Sequence, residues 1–535
     1  MRAWLAAVGC GAGGTNLSIT LRLLSATERT THWPSSTAAS TAAGGGERVS
    51  LVDVTREIET KLRVPEGFEL PTLIEVKGVD HVAVRWQRLK ALYVDTEDHR
   101  LARAGTTLRH RTGEGRPQWT LKLASSSAHG LDRLELSIPG PRARRPAELD
   151  DLLTARLRGE PLRDAVEVRT QRASSLLFDA DGTALVEVVN DLVQVVRDGS
   201  VVANWRELEV EQQGDFPTIV KRVVKLLRAA GAQVGDQTPK AIRALASLGA
   251  TELGTPDLPA AKGVGAGDPA GELVTRSLAL ALGGLVQYDL AVRRGTDDAV
   301  HQLRVTCRRL RSDLRAFRPL LADPRAEELR TELSWLAGSF GDARDTEVLR
   351  ERLHHTATED PLSPVDLGPV DAVLAAQEDE AVAQALAALR STRYLGVLRL
   401  LHELAGGPAL SAQGSEPCSQ VLPPLVAKAT KHLKRLTGHL ELLSPDGDWH
   451  RARILAKRAR YTAETAQEAL GKLPEVKAAK TVQTALGLHQ DAVVTALRCE
   501  QLARNHPELA FEFGRLAERE RAHVTAARRD FLRSR

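Results

Sequence analysis

Two short stretches gather ionisable side chains on one face of an extended chain. In Glu57-Ile58-Glu59-Thr60-Lys61, two carboxylates and an ammonium alternate with Ile58 and Thr60; in Glu207-Leu208-Glu209-Val210-Glu211, three carboxylates alternate with Leu208 and Val210. Side chains two apart on a strand share a face. Arg109 shares a face with Arg111 and Arg133 with Glu135, and Lys122 stands between Leu121 and Leu123. Carboxylates crowded on one face repel, and a hard divalent cation such as Mg2+ or Mn2+ relieves the repulsion, taking carboxylate and phosphate oxygens. Guanidinium groups at i and i+2 offer forked donors to phosphate. Two arrangements satisfy the pattern. One is a sheet with a solvated charged face; the other is a closed barrel whose polar lumen holds a metal–polyphosphate complex.

A second group is helical in spacing. His301, Arg304, Arg308, Arg311 and Arg315 follow one another at 3, 4, 3 and 4 residues, with Leu303, Cys307, Leu310, Leu314 and Phe317 nearly opposite. At 3.6 residues per turn this is a cationic rail about 20 Å long on an apolar helix. His450, Arg453, Lys457 and Arg460 repeat the phase, opposite Ala452, Ala456, Ala459 and Ala463. Gly341-x3-Asp345 and Gly487-x3-Asp491 follow the two rails in turn, which indicates duplication of a half-domain. A charge run is ordinarily a solvated face, but such faces interleave acids at i,i+4. The first rail has none on its own face, so an anionic partner is the compensation expected. Aromatic residues are 4% of the chain, too few to favour stacking on nucleic-acid bases.

The elements that position these residues follow from the rest of the 535-residue chain, which carries 73 Lys+Arg against 69 Asp+Glu, a net charge of only +4. Anion binding must therefore come from placement, not from total charge. Hydrophobic residues at 42% and charged residues at 27% describe a chain with real cores and exclude wholesale disorder. Four cysteines without close spacing suggest neither a zinc site nor a disulfide framework, and a reducing, cytoplasmic setting fits. No apolar run is long enough to span a membrane. Residues 1–51 read as an unpatterned tail, with a translation start assigned too far upstream as one explanation. Residues 52–250 alternate like strands, with helices near Asp150–Leu157 and Phe216–Ala230. Residues 251–271 are rich in Pro, Gly and Ala and read as a linker; residues 272–530 are helical, interrupted at 404–424. The predicted class is α+β multidomain, a β domain followed by a divided all-α domain.

The first domain resembles the CYTH family of triphosphate tunnel metalloenzymes. Glu57-x-Glu59-x-Lys61 matches its opening signature. Tyr93-Val94-Asp95-Thr96, Leu108-Arg109-His110-Arg111, Trp119-Thr120-Leu121-Lys122, Asp132-Arg133-Leu134-Glu135-Leu136, Arg169 with Arg172, Trp205 to Glu211, and Lys240 follow in the family's order. The resemblance implies a closed antiparallel tunnel of about eight strands with flanking helices. It implies that Lys61, Arg109, Arg111, Lys122, Arg133, Arg172 and Lys240 bind a triphosphate. Glu57, Glu59, Glu209 and Glu211 would bind Mg2+ or Mn2+, and Glu187, followed by Asp191, would position metal or water. Lys61, Arg109, Arg111, Lys122 and Glu187 are the expected catalytic set of a triphosphatase. His110 lies between two lumen arginines and should point away from the lumen. The adenylyl cyclases of the family carry a His-Phe pair before the opening signature. Val54-Thr55-Arg56 stands here instead, which makes cyclase the minor alternative.

Residues 272–530 resemble the CHAD family, through Ala299 to Ser312, Trp449 to Tyr461 and the two Gly-x3-Asp pieces. Cys307 stands where Thr or Ala is more common. This resemblance implies two helical bundles related by a pseudo-two-fold axis, binding inorganic polyphosphate along the two rails, and association with polyphosphate granules. The alternative to an enzyme is a polyphosphate-binding or granule-associated scaffold whose tunnel binds without cleaving.

Overall fold

The computed structural model describes residues 53–65, 67–124, 131–235 and 238–534. The expected tail, residues 1–51, and Val52 lie outside them, as do the side chains of Glu57 and Arg133. The chain divides into two compact units, one of residues 1–146 and 161–255, the other of residues 147–160 and 256–535.

The first unit is one antiparallel sheet. Its strands are β1 (Asp53–Arg63), β2 (His81–Asp95), β3 (Thr107–Thr112), β4 (Gln118–Ala124), β5 (Leu131–Pro139), β6 (Arg163–Phe178), β7 (Ala184–Arg197), β8 (Ser200–Gln212) and a two-residue β9 (Gln233–Val234). Their order is β5-β4-β3-β2-β6-β7-β8-β1-β9, and β1 also pairs with β5, so the first eight close into a barrel. The closure turns on Glu59: residues 53–59 of β1 pair with β5, and residues 59–63 with β8. Closure leaves no long exposed edge. Alternation then sends Leu62, Val186, Val188, Leu208 and Val210 to one side, where they form a core with Val223 and Leu227. Those two belong to the helix Pro217–Ala229, whose start is set by Pro217 in its first turn.

The opposite parity lines the lumen. Towards the β7–β8 turn that lining is apolar: Tyr93, Val168, Val193 and Trp205 pack against Ala241, Ala244 and Leu245 of the helix Lys240–Ser247. Lys240, the first residue of that helix, projects from the plugged end towards the acids described below.

The second unit is helical. Its elements include α1 (Ala147–Leu152), α2 (Thr154–Leu157), α3 (Ala270–Arg293), α4 (Ala299–Ala316), α5 (Arg325–Ser339), α6 (Gly341–Thr358), α7 (Cys418–Gly438), α8 (Asp446–Leu470) and α9 (Pro474–Asn505). The hairpin α3–α4 corresponds to α7–α8. The two hairpins exchange hydrogen bonds where they begin: Ala270 N donates to Glu416 O at 2.8 Å, and Cys418 N to Asp268 O at 2.9 Å. That reciprocity is the local form of a pseudo-two-fold relation. The halves then diverge, because α5 and α6 break at Phe340 where α9 runs on unbroken.

Three boundaries differ from expectation. Residues 147–160, placed by sequence within 52–250, pack with the helices. Asp151 there receives Arg293 and Arg390, each within 3.0 Å. Arg158 forms a buried two-pronged pair with Asp257, at 2.7 and 2.9 Å. Most of the expected linker 251–271 is held too, since Leu258, Ala261 and Val264 pack against the helical core. Finally, α7 begins at Cys418 and includes Pro423 and Pro424, which the expected interruption at 404–424 would have left outside.

Candidate functional site

The register of β1, β7 and β8 brings the acids together. Glu59 lies opposite Glu211, Lys61 opposite Glu209, Glu187 opposite Glu211, and Asp191 opposite Glu207. Two groups of carboxylates result, Glu59 with Glu209 and Glu211, and Asp191 with Glu207 and Glu209. In each, oxygens from all three members lie within 4.8 Å of one another. Glu59, Asp191, Glu207 and Glu209 are all buried. Burial of like charges is costly unless cations or metal compensate.

Cations do so from three elements. Lys61 Nζ lies 2.6 Å from Glu209 and 3.6 Å from Glu59. Arg172 on β6 grips Asp191 with Nε and Nη2, at 2.9 and 2.8 Å. Lys240 Nζ reaches Asp191, Glu207 and Glu209 within 3.0 Å. Burial opposes the Glu209 carboxylate, but Lys240, Lys61 and Arg172 hold its pKa well below the usual range. Burial likewise opposes the Lys240 ammonium, which Asp191 and Glu209 hold well above its ordinary pKa.

The other wall, on β3 to β5, is basic. Lys122 Nζ pairs with Glu135 at 2.8 Å, Arg111 Nη2 with Glu114 at 2.5 Å, and Arg109 Nη1 donates to Tyr93 OH at 3.3 Å. Burial would raise the Glu135 pKa, but Lys122 and Arg109 pull it down to about 2. Arg111 Nε is buried and makes no hydrogen bond. Glu187, also on lumen parity, has its pKa raised by burial. His110 faces away, as its parity demands, with Nε2 3.1 Å from Gly140 O.

The structure therefore assembles Glu59, Lys61, Arg109, Arg111, Lys122, Arg172, Glu187, Glu209, Glu211 and Lys240 on one lining. Strand pairing sets the backbones of Glu57 and Arg133 opposite each other. The metal-ligand set implied by the resemblance omits Asp191 and Glu207, although the sequence places Glu207 on one face with Glu209 and Glu211 and Asp191 beside Glu187, and Glu114 is absent from the expected site. Parity with Glu187 and Glu209 was the signal available for the first two.

The helical unit contains a different kind of site. The rails of α4 and α8 face one another. Burial first, then Arg453 and Arg308, push the Lys457 pKa down to about 8. Burial first, then Arg315 and Arg311, lower the pKa of Arg458, which lies off the spacing of its rail. The duplicated Gly-x3-Asp pieces hold the equivalent arginine of each rail. Arg304 lies 3.5 Å from Asp345 and donates to the carbonyls of Phe340 and Gly341 at 2.6 Å; Arg453 lies 3.1 Å from Asp491. His450 Nδ1 is 2.9 Å from Gln490 Oε1, and Arg460 pairs with Glu464 at 2.6 Å. His301 is held below its ordinary pKa by burial and by Arg344. The Nε atoms of Arg308, Arg311 and Arg453 are buried without a hydrogen-bond partner. Unpaired buried donors on facing cationic helices leave hydrogen-bonding capacity complementary to anionic oxygens. No described helix is long and apolar enough to cross a membrane.

Comparison with known proteins agrees with this division. Residues 55–244 match the CYTH domain and residues 276–500 the CHAD domain. Uncharacterized proteins from two strains of Mycobacterium tuberculosis are each 33% identical over 492 residues, 87% of this chain and 92% of the relative. Among solved structures, PptA from Streptomyces chartreusis is 26% identical with a TM-score of 0.43, covering 50% of this chain and 98% of that one. The CHAD domain from the plant Ricinus communis is 26% identical with a TM-score of 0.41, covering 52% and 97%. With a closed charged barrel preceding paired cationic helices, the chain belongs to the family of proteins that join a CYTH domain to a CHAD domain.

Proposed function

We propose that the barrel hydrolyses a triphosphate-bearing substrate with the help of Mg2+ or Mn2+, and that the helical unit binds inorganic polyphosphate. The observation that carries the reading is the two-walled lumen, with carboxylates converging on β1, β7 and β8 and cations on β3 and β4. Glu59, Glu209 and Glu211 have the oxygen donors and the proximity to hold a divalent cation. When bound, it would screen phosphoryl oxygens and polarise water. Lys61, Arg172 and Lys240, now tied to carboxylates, would turn part of their hydrogen bonding to the triphosphate. Arg109, Arg111 and Lys122 would grip it from the facing wall and stabilise charge on the leaving group. Glu187 would orient water for in-line attack on the terminal phosphorus. The new P–O bond replaces the bond to the bridging oxygen, and orthophosphate departs.

The rails would hold longer chains and raise the substrate's local concentration. Phosphate release from tripolyphosphate with Mg2+ or Mn2+, compared with Glu59→Ala, tests the enzyme. Release should fall at least about 100-fold in the variant. Binding without release in the unaltered protein would instead leave a scaffold.

A further inference from the structure

Outside both sites, α7 carries cations that the fold does not use. Lys428, Lys431, His432 and Arg435 recur at i, i+3, i+4 and i+7, with His439 continuing the line just past the helix end. All five are exposed. No acid occurs between Glu416 and Glu441. Their side chains make no hydrogen bond or ion pair among the described residues.

Some exposed arginines on other helices are neutralised, although Lys477, Lys480, Arg504 and Arg529 are exposed without an ion pair among the described residues. Arg393 pairs with Glu332, Arg451 with Asp448 and Arg521 with Glu500. The pseudo-symmetric partner of α7 sharpens the contrast. The only cations within α3 are Arg276, paired with Glu468, and Arg293, paired with Asp289. Duplication thus supplied the same hairpin twice, and only one copy carries an unneutralised outer stripe. Helix-dipole complementarity does not account for it. That effect fades within the last turn, while Lys428 and Lys431 lie about two turns or more before Gly438. The opposite side of α7 is committed to packing, with Leu433 buried and Ala429 and Leu436 against the same core.

We propose that this stripe is a second docking rail for inorganic polyphosphate, gripping a part of a long chain that the paired helices do not hold. The proposal rests on polyphosphate binding by the helical unit. The occupant follows from chemistry: at about 16 Å from Lys428 to His439, the stripe matches a linear, closely charged anion. It offers no Trp, Tyr or Phe ring to stack a nucleic-acid base.

The test measures binding of long-chain polyphosphate and of tripolyphosphate to the full chain and to Lys428→Gln/Lys431→Gln/Arg435→Gln. Long-chain affinity should fall about 10-fold or more, and its salt slope by about three, one for each cation removed. Tripolyphosphate binding should not change. Lys428→Glu/Lys431→Glu/Arg435→Glu should enlarge the long-chain loss, and far-UV circular dichroism checks folding. Unchanged long-chain affinity in both variants, equal losses for both ligands, or a stripe-dependent preference for single-stranded RNA would each overturn the proposal. Failure of the unaltered protein to bind any polyphosphate would overturn the underlying reading as well, and is recognisable because no variant is needed to see it.

Discussion

The barrel and the helical unit solve the crowding of like charges in opposite ways. In the barrel every described cation of the acidic wall is engaged: Lys61, Arg172 and Lys240 all converge on Glu209. On the rails, Arg308 and Arg311 keep buried Nε donors without partners, and the acids present hold Arg304, Arg453 and Arg460. A site built to accept metal and phosphate together needs both signs at hand. A site built to grip an anion alone can leave its charge unspent. The barrel is therefore self-neutralised, while the rails carry repulsion that an anionic ligand would relieve.

The sharpest way to break this comparison is Glu209→Gln. The change removes the carboxylate shared by both acid groups and leaves three buried cations short of charge. Metal-dependent phosphate release should fall by about 1000-fold, and stability by about 3–5 kcal/mol, the usual consequence of orphaning a buried ion pair. Steady-state phosphate release and urea unfolding measure the two. Unaltered stability would mean that the cations do not depend on Glu209. Binding of tripolyphosphate without metal should survive or strengthen, since the lumen has gained net positive charge.

Much of this lumen is legible in the sequence. Strand parity alone puts Glu59 with Lys61 and Glu209 with Glu211, because a period of two admits one face or the other. Parity does not say which strands close on one another. The pairing of Glu59 with Glu211, and the reach of Arg172 across β7 to Glu209, are therefore properties of the closed barrel that no single strand encodes. Lys240 lies on a helix, outside strand periodicity, and only the family resemblance singles it out. The helices at 147–157 are visible in sequence, but their allegiance is not. It is decided by Asp151 meeting Arg293 and Arg390, both more than a hundred residues away along the chain. The rails are legible nearly whole, since a helix declares its faces locally. Arg458 lies off that spacing, and its charged neighbours Arg311 and Arg315 belong to the other helix, which no single helix declares.

A second test aims at the empty rails. Arg308→Ala with Arg311→Ala should weaken polyphosphate binding about 100-fold, at roughly 1–1.5 kcal/mol for each charge-assisted hydrogen bond removed. Unlike Glu209→Gln, it should leave stability without ligand unchanged or slightly raised, because it removes repulsion and two unsatisfied donors. Polyphosphate should also raise the melting temperature of the unaltered protein and not that of the variant. A loss of stability like that of the barrel variant would erase the distinction between the two regions.

The smallest expected effect concerns Lys457. Burial, Arg453 one turn away on the same helix, and Arg308 and Arg304 on the facing one lower its pKa to about 8, with Asp491 pulling the other way. The unfolded chain keeps the ordinary value of 10.5, so between pH 8 and 10.5 the unfolded state binds more protons. This group's contribution to stability therefore rises with pH through that window, and its penalty is complete below pH 8. Ligand binding runs the other way. An anion between the rails favours the charged ammonium and draws a proton in, so affinity should fall as pH rises through 8. His301, with a lowered pKa, is already neutral there. A loss of about fivefold in polyphosphate affinity between pH 7 and 9 corresponds to partial recovery of a coupling worth one pKa unit or less. Lys457→Arg keeps the charge across this range and should flatten the profile without lowering affinity at pH 7. In the barrel the opposite holds: Lys240 is locked in its charged form by Asp191 and Glu209, so tripolyphosphate binding should lack this step at pH 8. Titrations of both ligands over the same buffers compare the regions directly, and a shared pH profile would show that the rails are as fully neutralised as the lumen.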